Sequence, residues 1–232
     1  MIFIKHVNDN ATRKGKVLYL MGVTWHNKCM FDLVSGEDSF ATILQKTGIE
    51  TYTFDNLVTG HKANVDLAVS LIKKYNIEYV LGYSYGCITA CDVVKQVDVK
   101  GVMLLDPETQ VQPFKHLMGD QLILTKDRAV IALEDNKVVA TKNMQDAFIN
   151  ALSDTDTLTV PAYPKTVRQQ YRYDINEIIS KTNLRLLLTR QSTEDTRSWS
   201  EEHTIYYPDS SHWILIEPGR YVLAKDIESF IS

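Results

Sequence analysis

Little in this chain suits an oxidising compartment, a bilayer or a nucleic acid. Its three cysteines, Cys29, Cys87 and Cys91, form neither an even disulfide set nor a Cys-x-x-Cys pair, so reduced thiols are expected. Cys87 and Cys91 stand four apart, on one face of a helix. With no histidine or third cysteine near them in sequence, they read as small buried apolar residues and not as zinc ligands. Basic residues are not in excess: 25 Lys and Arg stand against 29 Asp and Glu, with a formal net charge of −4, and the signs are interspersed. That distribution lacks the basic patch a phosphate backbone requires, and no nucleic-acid partner is expected. No apolar stretch approaches membrane-spanning length, and Met1-Ile2-Phe3-Ile4-Lys5 lacks a long apolar leader core with a small-residue cleavage site. The expectation is a cytoplasmic protein without a membrane span. His-Glu-x-x-His, Gly-x-x-x-x-Gly-Lys-Ser/Thr and the dinucleotide glycine fingerprint are all missing, so neither a metal nor an organic cofactor is implied.

No Pro/Gly/Ser-rich linker or charge run divides the 232 residues, and 44% hydrophobic content is enough to fill one α/β core. The alternation of Ile2 to Val7 predicts an edge strand. Lys16 to Met21, closed by Gly22, is a nearly continuous apolar run suited to a strand covered on both faces. Phe40, Ile43 and Leu44 predict a short helix ended by Gly48, followed by a strand over Ile49 to Asp55. Val65, Leu67, Ala68, Leu71 and Ile72 recur at helical spacing before a strand at Tyr79 to Leu81, and Gly101 to Pro107 supplies another strand. This rhythm implies a mostly parallel sheet with helices on both faces. It breaks between Glu108 and Thr182, where β-rich runs at Gln121 to Thr125, Ala129 to Leu133 and Val138 to Ala140 precede helices over Asn143 to Leu152 and Pro164 to Ser180. Strands at Leu184 to Thr189 and Thr204 to Tyr207 and a helix around Tyr221 to Phe230 close the chain.

The stretch around which the rest is organised is Val80-Leu81-Gly82-Tyr83-Ser84-Tyr85-Gly86, a strand running into Gly-x-Ser-x-Gly and then into the helix-like Cys87 to Val94. A serine at a sharp strand-to-helix turn stands proud of the backbone. Strand and helix crowd together two residues to either side of it, where only glycine fits. A hydroxyl becomes a nucleophile when a base takes its proton, and the base needs a carboxylate to fix its tautomer. His212, after the last strand and the turn-prone Pro208-Asp209-Ser210-Ser211, is the candidate base, whereas His6, His61, His116 and His203 read as structural.

The chain resembles the α/β-hydrolase family over about residues 16–107 and 184–231. Three stretches carry the likeness: Gly82-Tyr83-Ser84-Tyr85-Gly86, the turn after Leu20-Met21-Gly22, and Ser210-Ser211-His212-Trp213-Ile214-Leu215-Ile216-Glu217-Pro218. The resemblance implies one α/β-hydrolase domain over 1–232, its core about 1–107 and 183–232, with a lid inserted at about 108–182 after the strand that follows the elbow. It implies a serine hydrolase working through an acyl-enzyme on a carboxylic ester or thioester. Ser84 is the nucleophile, His212 the base and Asp195 the first choice of acid, with Glu194 and Asp106 as alternatives. Asp106 sits where some relatives, thioesterase domains of peptide synthesis among them, put the acid; locally it reads as a turn cap before Pro107. The backbone amides of Tyr85 and Val23 are the implied oxyanion donors, although Met21-Gly22 stands where relatives commonly carry His-Gly. Trp25, Tyr83 and Phe148 are expected to line the pocket for a small acyl substrate. The alternatives are a thioesterase acting on coenzyme A or an acyl-carrier protein, or a ligand-binding protein that keeps the fold without turnover.

Overall fold

Five runs of buried residues form the middle of one sheet. The computed structural model describes residues 3–7, 12–22, 31–55, 60–107, 117–118, 121–122, 130, 133–134, 137–151, 173–190, 192 and 201–232. Within them, strands β1 (Phe3–His6), β2 (Gly15–Leu20), β3 (Ile49–Phe54), β4 (Tyr79–Tyr83), β5 (Gly101–Leu105), β8 (Asn183–Thr189) and β9 (Thr204–Tyr207) form a sheet ordered β1-β3-β2-β4-β5-β8-β9. All neighbours are parallel except β1, which runs antiparallel to β3 at the edge. The expected fold class, a mostly parallel sheet flanked by helices, is what the chain adopts.

Alternate residues of each strand feed two apolar layers, because successive side chains leave opposite faces. Val17, Tyr19, Leu81, Tyr83, Met103, Leu105 and Leu187 enter one, while Leu18, Leu20, Val80, Val102, Leu104 and Leu188 enter the other. The second layer is covered by helices α2 (His61–Tyr75), α3 (Gly86–Val94) and α5 (Ile175–Lys181). Helices α1 (Phe40–Lys46), α4 (Lys142–Ala151) and α6 (Gly219–Ile231) cover the first, together with Trp213 to Ile216. Local chemistry sets these boundaries: Ser39 caps α1 by accepting from the Thr42 amide at 3.1 Å, and Asn76 ends α2 in the left-handed region at φ 50°.

The interrupted stretch departs from the sequence expectation. Of the expected run at Gln121 to Thr125, Gln121–Leu122 (β7) is a strand, paired among the described residues with Leu117–Met118 (β6) and not with the main sheet. Of the Ala129 to Leu133 run, Val130 and Leu133 are helical, and Val138 to Ala140 have no ladder. Their apolar side chains are used differently: Leu133 is buried in the first layer, and Val138 and Ala140 pack against it. A β-rich run becomes a strand only where another strand offers its edge, so packing overrides propensity here. Helix α5, expected inside the insertion, instead lays Ile175 and Ile178 on the sheet as the crossover between β5 and β8. Phe148, expected to line an acyl pocket, is 0% exposed in the first layer, edge-on to Trp213 with centroids 5.2 Å apart.

Phe148→Ala should therefore lower the unfolding free energy by about 3–5 kcal/mol, read by urea denaturation. Preserved stability with an altered acyl-length preference would return Phe148 to the pocket wall.

Candidate active site

Three parallel strand ends and one loop supply the site. Strand β4 ends at Tyr83, and Ser84 follows at φ 54°, a conformation that costs a non-glycine residue of order 1–3 kcal/mol and is concentrated at functional positions. The Ser84 amide still extends the ladder to the Leu105 carbonyl at 2.9 Å, and its own carbonyl accepts from the Cys87 amide at 3.0 Å as α3 begins. The glycines are required by contact: a Cβ on Gly82 would lie 2.6 Å from the Gly86 carbonyl oxygen, and one on Gly86 would lie 2.0 Å from that of Leu20. Gly22 brings the turn after β2 alongside, since a Cβ there would meet the Ser84 Cβ at 3.3 Å. The residues beyond it that were expected to face the serine, Val23 and Trp25, lie outside the described residues.

One strand further on, the same geometry recurs. Asp106 ends β5 at φ 49°, is 3% exposed, and extends the ladder through its amide to the Leu187 carbonyl at 2.8 Å. One carboxylate oxygen accepts from the Thr189 amide at 3.1 Å and from the Ser192 hydroxyl; the other accepts from the Thr189 hydroxyl at 2.7 Å and faces His212 Nδ1 at 2.6 Å. Burial pushes this carboxyl up, but the His212 contact and the Ser192 and Thr189 bonds outweigh it and hold the group below the usual aspartate range. A carboxylate at Nδ1 fixes the neutral imidazole with its proton there and leaves Nε2 as the basic nitrogen. Among the described residues the carboxylate against the imidazole is that of Asp106, one of the two alternatives to the first choice, Asp195. Asp195 and Glu194 lie outside the described residues.

The histidine is held from two further sides. Tyr83, expected to touch substrate, lies beneath it at 2% exposure, stacked on the imidazole at 5.1 Å and 29°, and its hydroxyl donates to the His212 carbonyl at 2.5 Å. Burial, then the neighbouring Tyr19, Asp106 and Glu217, push the Tyr83 phenol far above its ordinary pKa, so it stays a neutral donor. Glu217, 1% exposed, accepts from both the amide and the hydroxyl of Ser211 at 2.7 Å each, and from the Val139 amide at 3.0 Å. Sequence reading gave Thr189, Ser192 and Glu217 no role. The only available signal was the placement of Thr189 at a strand end and of Glu217 inside the histidine stretch.

This sheet order, the elbow at the end of β4 and the histidine loop before the last helix give the chain the α/β-hydrolase fold. No family profile and no curated protein sequence matches it. Solved structures do. A lipase-esterase related protein from Clostridium acetobutylicum superposes with a TM-score of 0.62 at 13% identity, over 99% of this chain and 98% of that one. A monoacylglycerol lipase from Paleococcus ferrophilus gives 0.63 at 13% identity, over 99% and 97%. MenH from S. aureus gives 0.63 at 10% identity, over 99% and 97%. At such identities the likeness is one of fold. Among the described residues no helix is long and apolar enough to cross a membrane, and no three His, Cys, Asp or Glu side chains gather as metal ligands would.

The Asp106 carboxyl titrates lower in the folded chain than the ordinary aspartate value of about 3.9. Its contribution to stability is then complete above that value and is lost as pH falls through the depressed one. Asp106→Asn should flatten the loss of stability in this acid window, measured by urea unfolding at a series of pH values. An unchanged acid slope would show that the carboxylate is not held in this way.

Proposed function

We propose that the chain is a serine hydrolase that cleaves a small carboxylic ester or thioester through an acyl-enzyme, with Ser84, His212 and Asp106 as its triad. The observation that carries the reading is the buried Asp106 carboxylate facing His212 Nδ1 at 2.6 Å, next to a serine held at φ 54° between two glycines that no Cβ could replace. Ser84 Oγ attacks the acyl carbon while His212 Nε2 takes its proton. The developing oxyanion is met by the backbone amides of Tyr85 and Val23, and the imidazolium returns the proton to the departing alcohol or thiol. Water then attacks the acyl-serine by the same exchange and restores the free hydroxyl. That the structural neighbours include a lipase-esterase related protein and a monoacylglycerol lipase supports an acyl substrate.

A second reading, a thioesterase for coenzyme A or an acyl-carrier protein, is favoured by the acid lying at the end of β5, directly after the elbow strand in the sheet. A panel of acyl esters and acyl thioesters graded by chain length and compared by kcat/KM separates the two. A ligand-binding protein without turnover would leave Ser84 unlabelled by a fluorophosphonate probe.

Ser84→Ala should fold normally and lose on the order of 10³-fold or more in turnover. Asp106→Asn should lose about 10⁴-fold, because the amide no longer fixes the imidazole tautomer, while Asp195→Asn stays close to wild type. Full activity in purified Ser84→Ala would sink the mechanism; a crippled Asp195→Asn beside an active Asp106→Asn would move the acid to the loop after β8.

A further inference from the structure

A second imidazole–carboxylate pair adjoins the elbow, on the α2 and α3 side. His61 opens α2, Asp92 lies on α3, and His61 Nε2 meets Asp92 Oδ2 at 2.7 Å. The other ring nitrogen, Nδ1, lies 3.1 Å from the hydroxyl of Tyr85, the residue directly after Ser84, and the two rings meet edge to face with centroids 5.9 Å apart. Tyr85 is 1% exposed. The other Asp92 oxygen faces Lys95 at 3.7 Å, and Lys95 is shared with Glu177 of α5 at 3.5 Å, so cationic charge backs the carboxylate.

The orientation follows from donor and acceptor inventory. A carboxylate accepts only, so neutral His61 carries its proton on Nε2, and Nδ1 is left to accept from the Tyr85 hydroxyl. Tyr85 is thus fixed at two ends. Its carbonyl accepts from the Ile88 amide at 3.0 Å in the first turn of α3, and its phenol is tied to a histidine on the neighbouring helix. A backbone donor aimed at a developing oxyanion helps only if it is held in place before the charge appears. We propose that His61 and Asp92 are positioning residues that act through the Tyr85 side chain to hold its backbone amide in line for the oxyanion. The proposal rests on the serine-hydrolase reading above. The bland alternative is that the pair only docks α2 on α3, in which case the Tyr85 hydroxyl is dispensable to turnover.

The test uses p-nitrophenyl acetate hydrolysis and amide hydrogen exchange on the full chain. Tyr85→Phe, which removes one oxygen and keeps the ring, and His61→Phe should each lower kcat about tenfold, a fraction of the 10²–10³ that a lost oxyanion donor costs. KM should stay within about twofold, as expected when only transition-state interactions are lost. The double variant should fall no further than either single one, because both break the same link. In both variants the Tyr85 amide should exchange faster than in wild type, while Leu71 and Ile72 in the last turns of α2 stay unchanged. Unaltered kcat in Tyr85→Phe, or losses that multiply in the double variant, would overturn the proposal. If His61→Phe does not fold, Tyr85→Phe decides alone. Wild-type protein with no Ser84-dependent hydrolysis would refute the enzyme reading instead, and exchange at the Tyr85 amide would still decide whether the pair positions it.

Discussion

The backbone of α3 lies against the backbones of β2 and β4 with no space for a single carbon at Gly82 or Gly86, and the geometry of the candidate site depends on that contact. Such an approach is possible only if the intervening residue turns through the left-handed region, which Ser84 does. The strain is sustained because both flanks are anchored: the β4 ladder continues through the Ser84 amide, and α3 starts on the Ser84 carbonyl. Parallel strands with a common direction then bring the ends of β4 and β5 to the same side of the sheet, with Tyr83 registered against Leu105. Asp106 turns off the end of β5 much as Ser84 turns off β4, and the two side chains lie one residue beyond paired positions.

Two imidazoles flank this turn with opposite polarity. His212 has its Nδ1 against Asp106, whereas His61 has its Nε2 against Asp92. The same residue types therefore turn different nitrogens away from their carboxylates: Nε2 in His212, and in His61 Nδ1, which lies against the Tyr85 phenol. Both variable positions of the Gly-x-Ser-x-Gly turn take part: Tyr83 supports the His212 loop from below, and Tyr85 reaches to His61. The serine is held by its neighbours' side chains as well as by its own backbone.

The sheet was legible because its strands are written as local apolar runs. Val17 to Met21, Val80 to Leu81 and Val102 to Leu105 need no knowledge of their partners, since any strand covered on both faces looks like this. The elbow and His212 were legible for a related reason, being marked by glycines and by position after a strand. The carboxylate was not. Asp106 and Asp195 each follow a strand, and which one meets the imidazole is decided by contacts across 106 residues of chain that no local pattern encodes. The Asp106-Pro107 pair even points the other way, towards a turn cap. Tyr83 and Tyr85 were opaque too, because their hydroxyls find partners 129 and 24 residues away. Within the stretch from Glu108 to Thr182, Phe148 and Leu133 looked like free apolar surface or strand residues because nothing local reveals that the first apolar layer needs them.

Glu217 has one carboxylate for two loops, taking the amide of Val139, 78 residues before it, on the oxygen that also takes the Ser211 hydroxyl, six residues before it. That sharing limits how modular the molecule can be. A foreign segment grafted between β5 and α5 would have to present an amide or hydroxyl at the place of Val139, or leave a buried carboxylate short of a donor at a cost of about 1–3 kcal/mol. Part of that cost would fall on Ser211 and so on the loop that carries the histidine. Exchanging this region therefore also means redesigning the support of the His212 loop, and chimeras that ignore Glu217 should loosen that loop first.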